Sequence, residues 1–145
     1  MKKVSIYTDG ACSGNPGNGG YCAILVYNGN EKVVSGFEKE TTNNRMELLA
    51  VIKGLKTLKE ACEVDVYSDS QYVVDAFNKK WIDAWIANGF KNSNKQQVKN
   101  VDLWQDLLSL MHLHKVNFIK VKGHADNEYN NRCDKIAVEE YKKQK

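Results

Sequence analysis

KVSIYTDGACSGNPGNGGYCAILVYNGNEKVVSGFEKE, residues 3–40, decides the fold. At its start Val4, Ile6 and Thr8 alternate with Ser5, Tyr7 and Asp9, the two-residue period of a strand with one buried face. Gly19-Gly20 lead into a second strand, YCAILVY. Asn28-Gly29-Asn30 then predicts a tight hairpin turn into a third strand, from Lys32 to Glu40. Three antiparallel strands therefore come first. Leu48, Val51, Ile52, Leu55 and Leu58 recur at helical spacing and predict a helix from Asn44 to Lys59. Glu63 to Ser68 is a fourth strand, followed by helices over Ser70–Asn78 and Lys80–Asn88. Gly89–Asn100 reads as an exposed, lysine-bearing loop. Val101–His114 is a helix, Asn117–Val121 a fifth strand, and Glu128–Lys142 the closing helix. This order argues for an α/β fold: one five-stranded mixed sheet with helices on its faces.

The chain has 145 residues, 42% of them hydrophobic, which suits one domain over residues 1–145 with a real core. No apolar run approaches membrane-spanning length, and Met1-Lys2-Lys3 leads straight into a strand. The expectation is a cytoplasmic, free-standing monomer that does not engage membranes. Cys12, Cys22, Cys62 and Cys133 lack the spacing of a zinc site or a disulfide framework and read as small buried hydrophobes or bystanders. The net charge of +3 hides an asymmetry. Residues 79–99 carry five lysines against Asp83, a net of +4, which leaves −1 for the rest. One basic lobe on a nearly neutral body predicts a polyanion-binding surface.

Four acidic residues stand where an acid is locally awkward: Asp9 ending a strand, Glu47 opening a helix, Asp69 after a strand and Asp134 in the last helix. Gathered by the fold, they would repel one another unless divalent cations sat between them. An all-oxygen set points to Mg²⁺ or Mn²⁺, and two such ions are a device for cutting phosphodiesters. Each acid also has a plainer reading. Asp9-Gly10 could be a turn. Asn44-Arg45-Met46-Glu47 approximates a capping box, with Glu47 reaching back to the helix start. Ser68-Asp69-Ser70 could be a helix cap. Asp134 shares a helix face with Ala137, Val138 and Tyr141, which turns it toward the core side. His112 and His114 fall at a helix end, where cations suit the dipole, and are assigned no chemistry.

At these residues the chain resembles type 1 ribonuclease H. The similarity lies in TDGACSGNPGNGGY from Thr8, TTNNRMEL from Thr41, SDSQYV from Ser68, VKGHA from Val121 and NNRCD reaching Asp134, and it spans essentially the whole chain. It implies a ribonuclease H-like fold with a basic protrusion. It also implies an endoribonuclease that hydrolyses the RNA strand of RNA–DNA hybrids and leaves 5′-phosphate and 3′-hydroxyl ends. By this resemblance Asp9, Glu47, Asp69 and Asp134 bind two Mg²⁺ ions, with Mn²⁺ an alternative, and His124 matches the family's loop histidine. Asn15, Asn43 and Gln71 match positions near the RNA strand, Thr42 and Asn100 a phosphate pocket, and Trp81 and Trp85 an aromatic channel for the DNA strand. Lys91, Lys95 and Lys99 belong to the basic lobe around that channel. For a tryptophan pair at helical spacing the plainer reading is core packing. The chain departs from the family pattern at Asp126, where glycine is common, and at Asn131, where glutamate is common. The competing readings are a non-catalytic hybrid-binding module and another nuclease or strand-transfer domain of the same superfamily. The intact acidic quartet argues against the first, and the lobe with its asparagine cluster against the second.

Overall fold

The computed structural model describes residues 1–91, 96–121 and 128–143. Three long strands, β1 (Lys2–Cys12), β2 (Gly17–Tyr27) and β3 (Asn30–Thr41), form an antiparallel meander. Asn28 and Gly29 both have positive φ at the β2–β3 turn, as the Asn-Gly signal requires. After α1 (Asn43–Lys56) the chain returns as β4 (Cys62–Ser68), parallel to β1. Helices α2 (Gln71–Asn78), α3 (Trp81–Ala87) and α4 (Val101–Leu113) follow. Then β5 (Lys115–Lys120) pairs parallel to β4, and α5 (Glu128–Lys142) closes the fold. The sheet order is β3-β2-β1-β4-β5, so β1 is central, between antiparallel β2 and parallel β4.

The two faces of the sheet are covered differently. On one, Ile6, Val64 and Val66 share a single core with α1, whose residues from Met46 to Ile52 are all buried. A helix enclosed nearly all round is a core helix. α4 covers its outer side through Leu103, Trp104 and Leu107. Arg45 ties the two helix starts together by a two-pronged pair with Asp102 (3.1 and 2.8 Å) and also reaches Glu38 on β3 (3.3 Å). On the other face α5 lies on β1, β2 and β3, with Cys133 and Ala137 against Cys22 and Ile24. Gly20 permits this approach, because a Cβ there would collide with the Ala137 carbonyl.

Several sequence expectations shift. β5 begins at Lys115 rather than Asn117, since its register with β4 already starts at Glu63–Lys115. The segment after Gly89 is not simply an exposed loop. Val98 is buried, its N–H donates to the Phe90 carbonyl (2.8 Å), and Lys91 and Gln97 form an isolated bridge. Phe90 and Val98 thus anchor the lobe to the core. His114 is no helix-end cation: it is buried, its Nδ1 accepts the Cys62 N–H (3.1 Å), and burial pushes its pKa down.

Candidate active site

The register of β1 with β4 ends at Tyr7–Tyr67, while β1 continues beside β2 as far as Cys12. Asp9 lies in that extension and is buried. Gly10 then brings α1 in close, since a Cβ there would sit 2.5 Å from the Glu47 nitrogen. Glu47 therefore meets Asp9 inside the core instead of capping its helix. The cap of α1 is Thr42, whose Oγ1 accepts the Arg45 N–H (3.2 Å), so the capping-box reading of Glu47 falls. Similarly Ser70, not Asp69, caps α2 through the Val73 N–H (3.3 Å), leaving Asp69 to face the end of β1.

One carboxylate oxygen from each of Asp9, Glu47 and Asp69 lies within 4.8 Å of the others. Asp134, from α5, lines the same cleft of about 510 Å³. Burial, reinforced by the negative charges of Asp69 and Asp134, pushes the Asp9 pKa up to about 8, against its bonds to Glu47 and the Gly10 N–H (2.9 Å). Burial also raises Glu47 well above the carboxylate range, with the charges of Asp9 and Asp69 adding to it. Glu47 Oε2 is buried with no hydrogen-bond partner among the described residues. Buried carboxylates this close repel one another unless a positive charge sits between them. A hard divalent cation supplies that charge and a partner for the orphaned oxygen, so these residues fit one.

The amides gather as expected around the acids. Asn43 and Gln71 line the cleft, and Asn15 Oδ1 accepts the Asn43 N–H (3.3 Å), joining the β1–β2 turn to the start of α1. Asn100, at φ +61°, donates from Nδ2 to the Tyr72 hydroxyl (3.3 Å). The tryptophan pair divides. Trp81 is 40% exposed, with Lys79 Nζ 5.9 Å from its ring. Trp85 is half-buried, edge-on to Trp104 at 5.2 Å, so the core-packing reading holds for much of its surface. Lys91 and Lys99 are exposed. His124 and Lys95 lie outside the described residues.

Sequence reasoning missed two residues here. Tyr72 lines the cleft, and its hydroxyl also accepts the Trp104 indole N–H (3.1 Å). Its place directly after Gln71 was the available signal. Asn130 is buried and bonds the Thr8 and Tyr67 carbonyls, where the pairing of β1 with β4 ends. The available signal was its helical spacing with Cys133 and Ala137, at i+3 and i+7, which the polar run NEYNN around it obscures.

Fold and cluster together define the class: an α/β protein with a divalent-cation site built of carboxylates at the end of its central strand. The sequence pattern of the RNase H family matches residues 1–142. The ribonuclease H of Acetivibrio thermocellus is 66% identical over 143 residues, covering 99% of this chain and 97% of that protein. A type 1 RNase H with the type 2 active-site motif superposes with a TM-score of 0.88 at 28% identity, over 100% of this chain and 74% of that one. LC11-RNase H1, solved in complex with RNA/DNA hybrid, shares the fold at a TM-score of 0.71 and 24% identity, with 97% of each chain covered. The chain belongs to the ribonuclease H family of divalent-metal-dependent nucleases.

Proposed function

We propose that this protein hydrolyses the RNA strand of RNA–DNA hybrids endonucleolytically, with two divalent ions held by Asp9, Glu47, Asp69 and Asp134. The observation that carries this is the carboxylate trio within 4.8 Å, two of them buried, with an orphaned Glu47 oxygen. The hybrid as substrate is supported by family membership and by the complex of LC11-RNase H1 with RNA/DNA hybrid. Bound cations would supply Lewis acidity, to acidify an attacking water and offset charge on the departing 3′-oxygen. Mg²⁺ is the ion we assign, since the donor set is all carboxylate oxygen; Mn²⁺ would serve the same ligands.

The chain's own residues supply the rest. Asp9 lies beside Glu47 and Asp69 and lines the same cleft as Asp134, so it would be the ligand best placed to serve both ions. The Asn43 and Gln71 amides, with Asn15 fixing the Asn43 backbone, present neutral polar groups beside the acids, as reading a 2′-hydroxyl demands. Thr42 and Asn100 stand at the starts of α1 and α4, which Arg45 and Asp102 lock together, and there they hold a DNA-strand phosphate. In the lobe Trp81 offers an open face, while Trp85 mainly seats α3 on Trp104. Lys91, Lys95 and Lys99 supply phosphate contacts, and His124 assists proton transfer or product release. The protein acts as a single-domain monomer in the cytoplasm; among the described residues no helix is long and apolar enough to cross a membrane. The test is incubation with labelled RNA–DNA hybrid, RNA duplex and DNA duplex, each with Mg²⁺ or EDTA. Only the hybrid with Mg²⁺ should be cut, and cleavage of either pure duplex, or of hybrid in EDTA, would refute the reading.

A further inference from the structure

We infer that Asn130 is the positioning residue that sets the spacing of the carboxylates for their cations. The inference rests on the reading of the cleft as a cation site. Backbone pairing between β1 and β4 stops at Tyr7–Tyr67, just short of Asp9 and Asp69. Nothing in the sheet ladder therefore fixes the distance between these two acids. A side chain does so instead. Asn130 Nδ2 donates to the Thr8 carbonyl (3.1 Å) and to the Tyr67 carbonyl (3.2 Å). The first carbonyl belongs to the residue before Asp9, and the second lies two residues before Asp69. The Thr8 hydroxyl adds a bond to the same Tyr67 carbonyl (3.3 Å).

Asn130 is itself buried and lies on α5 four residues before Asp134, one helical turn away on the same side. A single amide thus joins the three segments that carry Asp9, Asp69 and Asp134. Glu47 is set independently, by the close approach of α1 to Gly10. Both bonds need a planar –NH₂ offering two hydrogens at once, which an asparagine amide supplies. They are buried or part-buried, so solvent does not readily replace them. Groups that orient metal ligands without touching the metal typically govern affinity by about 10–100-fold when removed.

The experiment measures Mg²⁺ binding by the full chain without substrate, using calorimetry and the Mg²⁺-induced rise in melting temperature. Asn130→Ala should bind Mg²⁺ at least ~10-fold more weakly than wild type. Asn130→Ser keeps one donor and should fall between the two. In hybrid hydrolysis both variants should regain kcat as Mg²⁺ is raised, with KM for the hybrid unchanged. Ile24→Val is the control, since Ile24 is buried under α5 and does not line the cleft; it should lower stability while leaving Mg²⁺ affinity intact. If Asn130→Ala does not fold, Asn130→Ser decides. Wild-type affinity in the folded Asn130 variants, or an equal loss in Ile24→Val, overturns the inference. If wild type itself shows no Mg²⁺ binding, the reading of the cleft as a cation site falls first.

Discussion

Replacing Asp9 by asparagine should make the metal-free protein more stable, and the size of the gain follows from the site. Asp9 is only 4% exposed, and its pKa is pushed from 3.8 to about 8 by burial and by the charge of Asp69. A carboxyl raised in this way gives full stability below its ordinary pKa and loses it as pH rises through the folded value. At pH 7 an isolated Asp9 would thus cost the fold up to about 4 kcal/mol, at ~1.4 kcal/mol per pH unit. Asp9 and Glu47 share a hydrogen bond, and Glu47 is raised too, so one proton relieves both. A realised gain of about 1–3 kcal/mol is expected, or roughly 3–10 °C in melting temperature for a chain of this length. Thermal melts in EDTA between pH 4 and 8 measure it. The advantage of Asp9→Asn over wild type should grow with pH and nearly vanish at pH 4. Added Mg²⁺ should raise the wild type toward the variant while the variant stays put. A variant that melts lower than wild type at pH 7, or by a pH-independent margin, would refute the reasoning.

Other perturbations probe other parts of the structure. Gly10→Ala forces a Cβ to within 2.5 Å of the α1 backbone; it should cost about 1–3 kcal/mol and depress turnover by moving Glu47, checked by melting and initial rates. His114→Ala removes the acceptor for the Cys62 N–H and should cost about 1–3 kcal/mol. Because burial lowers the His114 pKa below 6.5, the wild type loses stability as pH falls below 6.5, and the variant's melts should show a flatter slope there. Lys91→Ala with Lys99→Ala should raise KM for the hybrid, keep kcat, and make the salt dependence of log K shallower by at most about 0.9 per lost contact. Trp81→Ala should weaken hybrid binding by roughly 1–3 kcal/mol in a direct binding assay, whereas Trp85→Ala should also lower the melting temperature, since its ring is packed on Trp104.

The meander was legible because its signals are local. The alternation in β1 and the Asn28-Gly29 turn act within a few residues, and α1 announced itself through apolar spacing. What sequence could not supply was the depth of a polar side chain. Asn44-Arg45-Met46-Glu47 has the form of a capping box, yet Thr42 takes the cap and Glu47 is driven inward by the contact at Gly10. That contact joins residues far apart in the chain and leaves no periodic trace. His114 was misjudged for the same reason, since its partner Cys62 is 52 residues away. In the lobe Lys91 and Lys99 are exposed, but Phe90 and Val98, joined by a hydrogen bond, pack on the core. The acids were recognised as a set because four awkward placements coincide. Asn130, which bonds the Thr8 and Tyr67 carbonyls beside them, carried no comparable anomaly.

The most direct test of the account is a hybrid labelled with different fluorophores on its RNA and DNA strands, cleaved with Mg²⁺ and analysed for product ends. The account predicts internal cuts in the RNA strand alone, with 3′-hydroxyl ends that a polymerase extends and 5′-phosphates that a phosphatase removes. It also predicts almost no cutting by Asp9→Asn. Cuts in the DNA strand, 2′,3′-cyclic phosphate ends, or an Asp9→Asn variant keeping more than about a tenth of wild-type turnover, a barrier change of only ~1.4 kcal/mol, would contradict it.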